Sequence, residues 1–230
     1  MKRFFDSELE TLRSDLFHMG ERVISQLRAV LKAYAEGDSR LAQTIIDGDN
    51  EIDDLEVRID EEAIRYLSLR APIATELRVL VTGMKVSQNF ERAGDEITKI
   101  ARRIRHISSD APIKLKNDIV RMGEIAASML SDALDCFIQG TEEKALAVCH
   151  RDVEVDRMNR ELQEELTQAM TQKTEIIPRA IDMIFVSKAI ERVADHATNI
   201  AEETIYLFKA KDIRHTAETR RAPGERREEA

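Results

Sequence analysis

At 230 residues, 43% hydrophobic and 34% charged, the chain can enclose a sizeable core under a heavily charged surface. A formal net charge of −9 argues against nucleic-acid binding, which needs a basic surface. It suits cations, or a partner with a basic face. With 8 Gly, 4 Pro, no Trp and 4% aromatics, turns are few, which points to long helices and away from a many-stranded sheet.

The first helix is predicted over Phe4–Glu36, where Leu9, Leu12, Leu16, Met19, Val23, Leu27, Val30, Leu31 and Tyr34 step by three and four. Gly37 ends it, and Asp38 or Ser39 can cap a second helix that runs to Leu69 and stops at Ala71-Pro72. A third helix is predicted over Ala74–Ile107. Ser108 to Pro112 has loop-like composition and marks the boundary between halves. A fourth helix over Lys114–Gln139 stops at Gly140. Thr141 then N-caps a fifth, which reaches Thr171 with Glu142 and Glu143 in its first turn. Pro178 marks the entry to the sixth, which reaches Lys211. The charged stretch 213–230 lacks an apolar period and reads as a disordered tail.

The two halves are copies. Leu12, Asp15, Met19, Gly20, Glu21, Leu31 and Gly37 recur 103 positions on as Leu115, Asp118, Met122, Gly123, Glu124, Leu134 and Gly140. Asp49 and Asp53 recur as Asp152 and Asp156 with the same shift, whereas Glu91 and Asp95 recur as Glu191 and Asp195 after 100. The expected architecture is therefore all-α: six long helices forming two pseudo-symmetric three-helix bundles, residues 1–108 and 113–212.

The duplicated acidic residues form four i, i+4 pairs: Asp49/Asp53, Glu91/Asp95, Asp152/Asp156 and Glu191/Asp195. Residues four apart lie about 40° apart around a helix, so each pair faces one way and repels itself unless a cation intervenes. One pair per half sits on the second helix and one on the third. Antiparallel packing of those helices could bring four carboxylates to one place. Oxygen-only ligation suits Mg²⁺, Ca²⁺, Mn²⁺ or iron(III), whereas zinc usually recruits His or Cys. Asn199 extends the second row by a turn, and Glu203 lies beyond it. In the first half the place of Asn199 is taken by Lys99, whose ammonium would compete with a cation, so the second half is the better site. The bland alternative is a solvated face neutralised by Arg92, Arg102 and Arg103. The apolar stripe Val86, Phe90, Ala93, Ile97, Ile100, Ile104 points away from Glu91 and Asp95, which predicts superficial carboxylates.

Enzyme readings find little support. A ferritin-like di-metal carboxylate oxidase, the alternative of a different class, wants Glu-x-x-His, and no histidine here follows a glutamate at that spacing. Phosphate-loop, nucleophile-elbow and His-Glu-x-x-His motifs are also absent. His196 reads as an incidental polar residue on an exposed face. Cys136 and Cys149 read as small buried residues of a reducing compartment. With neither a signal-peptide pattern nor an apolar run of ~20 residues, the expected location is cytoplasmic.

The phrases E-R-A-G-D at Glu91–Asp95 and E-R-V-A-D-H-A-T-N-I-A-E at Glu191–Glu202 resemble the motif of the PhoU family of phosphate-transport regulators, which recurs once per half. The resemblance covers roughly Leu9 to Leu207. It implies twin three-helix bundles carrying clusters of iron or zinc on the E/D-x-x-x-D motifs. The implied ligands are Asp49, Asp53, Glu91, Asp95, Asp152, Asp156, Glu191, Asp195 and Asn199, with Lys99 as the departure from the family's usual Asn. It also implies a homodimeric, non-enzymatic negative regulator of the phosphate-starvation response. Such a protein links the ATPase of a phosphate ABC importer to a membrane-bound sensor histidine kinase.

Overall fold

A computed structural model describes residues 6–70, 72–104, 113–210 and 213. The described chain forms α1 (Asp6–Glu36), α2 (Ser39–Asp47), α3 (Asn50–Arg70), α4 (Ala74–Ile104), α5 (Ile113–Gln139), α6 (Glu142–Gln172) and α7 (Ile177–Lys209). A single 3-10 turn, Thr174–Ile176, leads into α7. The expected all-α architecture is present, and the helix ends follow from local chemistry. Gly37 and Gly140 stop α1 and α5 at φ +70 and +73, the left-handed conformation that glycine adopts without a Cβ clash. Asp38 caps α2, its Oδ1 accepting from the Arg40 and Leu41 amides at 2.9 and 3.0 Å. Asp38→Ala should cost about 1 kcal/mol, read as a lower midpoint in urea unfolding. An unchanged midpoint would mean that packing alone holds α2. Thr141 occupies the N-cap position of α6 as predicted, but its side chain makes no capping bond.

The predicted second helix is broken into α2 and α3 at Gly48 and Asp49. The break is held from outside: Gln26 on α1 donates its side-chain amide to the Gly48 carbonyl at 3.2 Å, satisfying a group that the interrupted ladder releases. The last helix ends at Lys209, short of Lys211, with Ala210 in a left-handed cap at φ 53. Ile213, assigned to a loose tail by composition, is 2% exposed and packs into the core. The start of α1 at Phe4, the end of α4 at Ile107, the loop 108–112 and the tail from 214 fall outside the described residues.

The repeat pairs α1 with α5, α3 with α6 and α4 with α7. The halves meet like on like: α1 packs on α5 and α4 on α7, while α1 also packs on α4 and α5 on α7. These four helices close a ring around Leu12, Leu16, Met19, Phe90, Ile97 and Met122, all buried. α3 flanks α4, and α6 flanks α7. The whole predicted α4 stripe, Val86 through Ile104, is buried. α4 and α7 run antiparallel, as their cross-links show. Lys85 meets Glu203 at 3.0 Å, Arg192 meets Glu96 at 3.3 Å, and Arg103 meets Asp182 at 2.7 Å.

Two glycines set the closeness of α1 to α5. A Cβ on Gly123 would stand 2.2 Å from Leu31 Cδ2. One on Gly20 would stand 2.9 Å from Leu134 and from Phe90. Since Gly20 repeats as Gly123 and Leu31 as Leu134, each half offers its partner the same leucine knob and the same notch. Cys136 and Cys149 are buried and free, as predicted, and burial pushes their thiols up to about 11 and about 12.

Candidate metal centre

The four pairs do converge two by two, because α3 lies along α4 and α6 along α7. In the second half Asp152 of α6 meets Asp156, Asp195 and Glu191. Burial first, and then repulsion from Asp195, Asp156 and Glu191, push Asp152 up to about 7, against the pull of the Thr198 hydroxyl. Asp195 rises to about 6 through burial and the charges of Glu191 and Asp156, against the pull of Lys188 and Arg192. In the first half Glu91 rises to about 7 through burial, then Asp95, Glu56 and Asp53, opposed by Arg92. Asp49 is also raised, mainly by burial, with Asp53 and Asp95 adding to it and the Thr98 hydroxyl and Arg102 opposing.

The expectation that these carboxylates are superficial holds for Asp95 and Asp53, which are exposed, and fails for Glu91 and Asp49, which are half-buried, and for the second half. Glu191 is only 8% exposed, and Asp152, Asp156 and Asp195 are half-buried. The reason is that each cluster lies between two packed helices, α3 with α4 and α6 with α7, which takes the facing carboxylates out of solvent. Glu191 receives Lys188 Nζ on Oε1 at 2.5 Å, but its Oε2 is buried without a hydrogen-bond partner. Asp152 Oδ1 is also buried with no hydrogen bond of ordinary geometry, although the nearby Thr198 hydroxyl acts on this carboxyl against the effect of burial. A buried oxygen that lacks a donor, among like charges, is unfavourable for the protein alone and is relieved by a cation.

Asp152, Asp156 and Asp195 open onto a groove of about 840 Å³ along the α4–α7 seam, which Arg92, Asp95, Lys99, Arg192, His196 and Asn199 also line. The Asn199 amide donates to Asn89 Oδ1 at 3.3 Å, and His196 Nδ1 lies 3.1 Å from the same atom. His196 is therefore half-buried in the seam, and burial, followed by Arg92, holds its imidazole down to about 4. The prediction of an exposed, incidental histidine is corrected. Lys99 turns away from the first-half pair and meets Glu96 at 2.9 Å. Arg103 is held by Asp182, so it does not neutralise Glu91 and Asp95.

Glu56 and Glu96 lie outside the four predicted pairs, and Glu203, which continues the Glu191 row, serves another role. Glu56 belongs to the first-half cluster, and its spacing of three from Asp53 is a signal that could have found it. Glu96 and Glu203 are buried ion-pair partners of Arg192 and Lys85, which sequence spacing does not reveal. Among the described residues, no three His, Cys, Asp or Glu side chains stand together as a ready-made ligand set. What the second half offers is an all-oxygen donor group that includes the buried, unpartnered Glu191 Oε2. That chemistry fits a hard cation. In the first half the arginines and the greater exposure fit one less well.

Comparison with known proteins places these features in context. The family model described as the PhoU domain matches twice, over residues 16–104 and 119–204. The phosphate-specific transport system accessory protein PhoU homolog of Clostridium acetobutylicum is 32% identical over 213 residues, spanning 92% of this chain and 97% of that protein. The one from Pseudomonas aeruginosa is 36% identical over 217 residues, spanning 94% and 90%. Among solved structures, P. aeruginosa PhoU superposes with a TM-score of 0.82 at 35% identity, covering 90% of this chain and all of that one. The phosphate transport system regulatory protein PhoU of Streptococcus pneumoniae gives 0.85 at 27%, covering 90% and 98%.

Proposed function

The chain belongs to the PhoU family, and on that premise we propose that it is a metal-binding cytoplasmic adaptor that represses the phosphate-starvation response. Relatives named as accessory or regulatory proteins of phosphate transport support the role. In this reading the protein contacts the ATPase of a phosphate ABC importer and a sensor histidine kinase when phosphate is plentiful, and catalyses nothing itself. Among the described residues no helix is long and apolar enough to cross a membrane, which suits a protein that visits membrane partners.

The observation that supports a metal is the buried, donorless Glu191 Oε2 in one cluster with Asp152, whose mutually repelling acids have only the Thr198 hydroxyl set against them at that carboxyl. Asp152, Asp156, Glu191 and Asp195 would hold the ion, with Asn199 at the groove's edge. Asp49, Asp53, Glu91 and Asp95 would form the weaker first-half counterpart. Iron, manganese, magnesium or calcium fits the oxygen set best. Zinc would bind without its usual sulfur or imidazole ligands. A bound cation would neutralise the cluster and pin α6 to α7, making the groove rigid for a partner.

Protein purified without chelators or affinity-column metal should carry ions detectable by elemental analysis. Asp195→Ala should lose the second-half ion with helix content unchanged by circular dichroism, and should fail to repress a phosphate-replete reporter. Wild type without bound metal, or a variant that represses normally, would defeat the metal-dependent reading.

A further inference from the structure

Because α4 and α7 are copies lying antiparallel, every position at one end of their seam has a counterpart at the other. At one end Lys85 and Glu203 form an ion pair at 3.0 Å. Their counterparts at the opposite end are Phe185 and Arg103, where the guanidinium lies 4.1 Å from the centroid of the ring. The divergence extends further. Asn199, Glu202 and Gln88 correspond to Lys99, Arg102 and Lys188, so the third helix carries two adjacent glutamates, Glu202 and Glu203, in one repeat where it carries Arg102 and Arg103 in the other. On a chain of net charge −9, one end of one seam has been made basic.

That end is concave. A groove of about 420 Å³ is lined by Lys99, Arg102, Arg103, Lys188 and Arg192, with Glu96 as its acidic member and Phe185 in its wall. Phe185 is 51% exposed, and Ile181, one helical turn before it, is 42% exposed. Several of the cations are already positioned. Arg103 is tied to Asp182, Lys99 and Arg192 to the buried Glu96, and Lys188 to Glu191. These contacts hold the heads in place and leave further N–H donors for a second acceptor, since a guanidinium has five.

We infer that this end of the α4–α7 seam docks an acidic segment of a partner protein that carries a large apolar side chain. A small inorganic anion would use the cations and leave the Ile181–Phe185 strip in water. A segment alternating carboxylates with an apolar residue covers both, and arginine beside an exposed aromatic is the composition that anchors protein interfaces. The inference rests on the adaptor reading in supposing that a protein partner exists. It does not rest on the metal.

The probe is a fluorescein-labelled synthetic peptide of aspartates and glutamates around one central phenylalanine, titrated with the full chain by fluorescence anisotropy. Saturable binding that weakens with added salt is expected. Arg102→Glu with Arg103→Glu, which restores the glutamate pair of the other repeat, should weaken it at least about tenfold. Phe185→Ala should weaken it several-fold. Arg102→Gln, a milder change at an exposed side chain, serves if the double variant misfolds, and Lys85→Ala at the opposite end should have no effect. Equal binding by the charge-reversed and wild-type proteins would overturn the inference. So would inorganic tripolyphosphate binding where the peptide does not. Metal content and reporter repression are measured on the same proteins. A wild type that holds the peptide but does not repress counts against the adaptor role. A wild type that represses but does not bind the peptide counts against this surface.

Discussion

Gly123→Ala is expected to destabilise the protein by about 1–2 kcal/mol and Gly123→Val by about 3 kcal/mol, as overpacking in a closed core does. Helix propensity alone predicts the opposite sign for alanine, a gain of about 0.5–1 kcal/mol over glycine in a helix interior. The contact decides. A new Cβ would lie 2.2 Å from Leu31 Cδ2 and 3.0 Å from its Cγ, so the leucine must change rotamer or α1 must retreat from α5. Leu31 is 5% exposed and has little room to turn. Leu31→Ala should itself cost about 2–5 kcal/mol, and the double variant should cost less than the two singles together by about 1 kcal/mol or more. Urea unfolding followed by circular dichroism measures all three. A Gly123→Ala protein more stable than wild type would show that the helices are not held this close.

Stripped of metal, the protein should lose stability as pH rises from about 4 to about 7, and Asp152→Asn should flatten that loss by something on the order of 2 kcal/mol. Asp152 starts from an ordinary value of 3.8 and is raised to about 7 in the fold, mainly by burial and then by Asp195, Asp156 and Glu191. Within that window the folded chain holds the proton and the unfolded chain has released it, so stability declines with pH. The favourable contribution is complete below the unfolded value and gone above about 7. Asp195, raised to about 6, and Glu91, raised to about 7, act in the same direction. A cation binds the ionised carboxylates and so reverses the slope. Melting temperatures against pH should therefore diverge between chelator and added iron or manganese, the separation growing toward neutral pH. The difference between wild type and Asp152→Asn isolates this cluster from the ion pairs elsewhere. If the two proteins lose stability in parallel over that range, the carboxylates are not strained against one another.

What the sequence made legible is what repeats locally. The apolar steps of α1 and α4, the glycine stops at Gly37 and Gly140 and the duplication at shifts of 103 and 100 are all patterns within a few turns of chain. The convergence of the acidic pairs followed from those patterns and one assumption about packing. What stayed hidden depends on residues far apart. The break falls on the turn-forming run Asp47-Gly48-Asp49-Asn50, a local signal that the helical period around it outweighed, and Gln26 completes it from 22 positions away. A helical wheel of α7 cannot show that α6 covers Glu191. Glu96 meets Arg192 across 96 positions, Lys85 meets Glu203 across 118, and His196 reaches Asn89 across 107. Each of these is a property of the seam, and no single helix contains it.

The ring of α1, α5, α7 and α4 bears on what the halves would do apart. Cut between α4 and α5, either fragment would present to water the apolar flank that its twin now covers, notch and leucine knob included. Such a flank is self-complementary, so a lone fragment would bind a second copy of itself or its missing sibling, with a melting point that climbs with concentration. Joining both into one polypeptide removes that dependence on dilution. It also frees the two ends of the shared groove to diverge, which a symmetric pair of identical subunits could not allow.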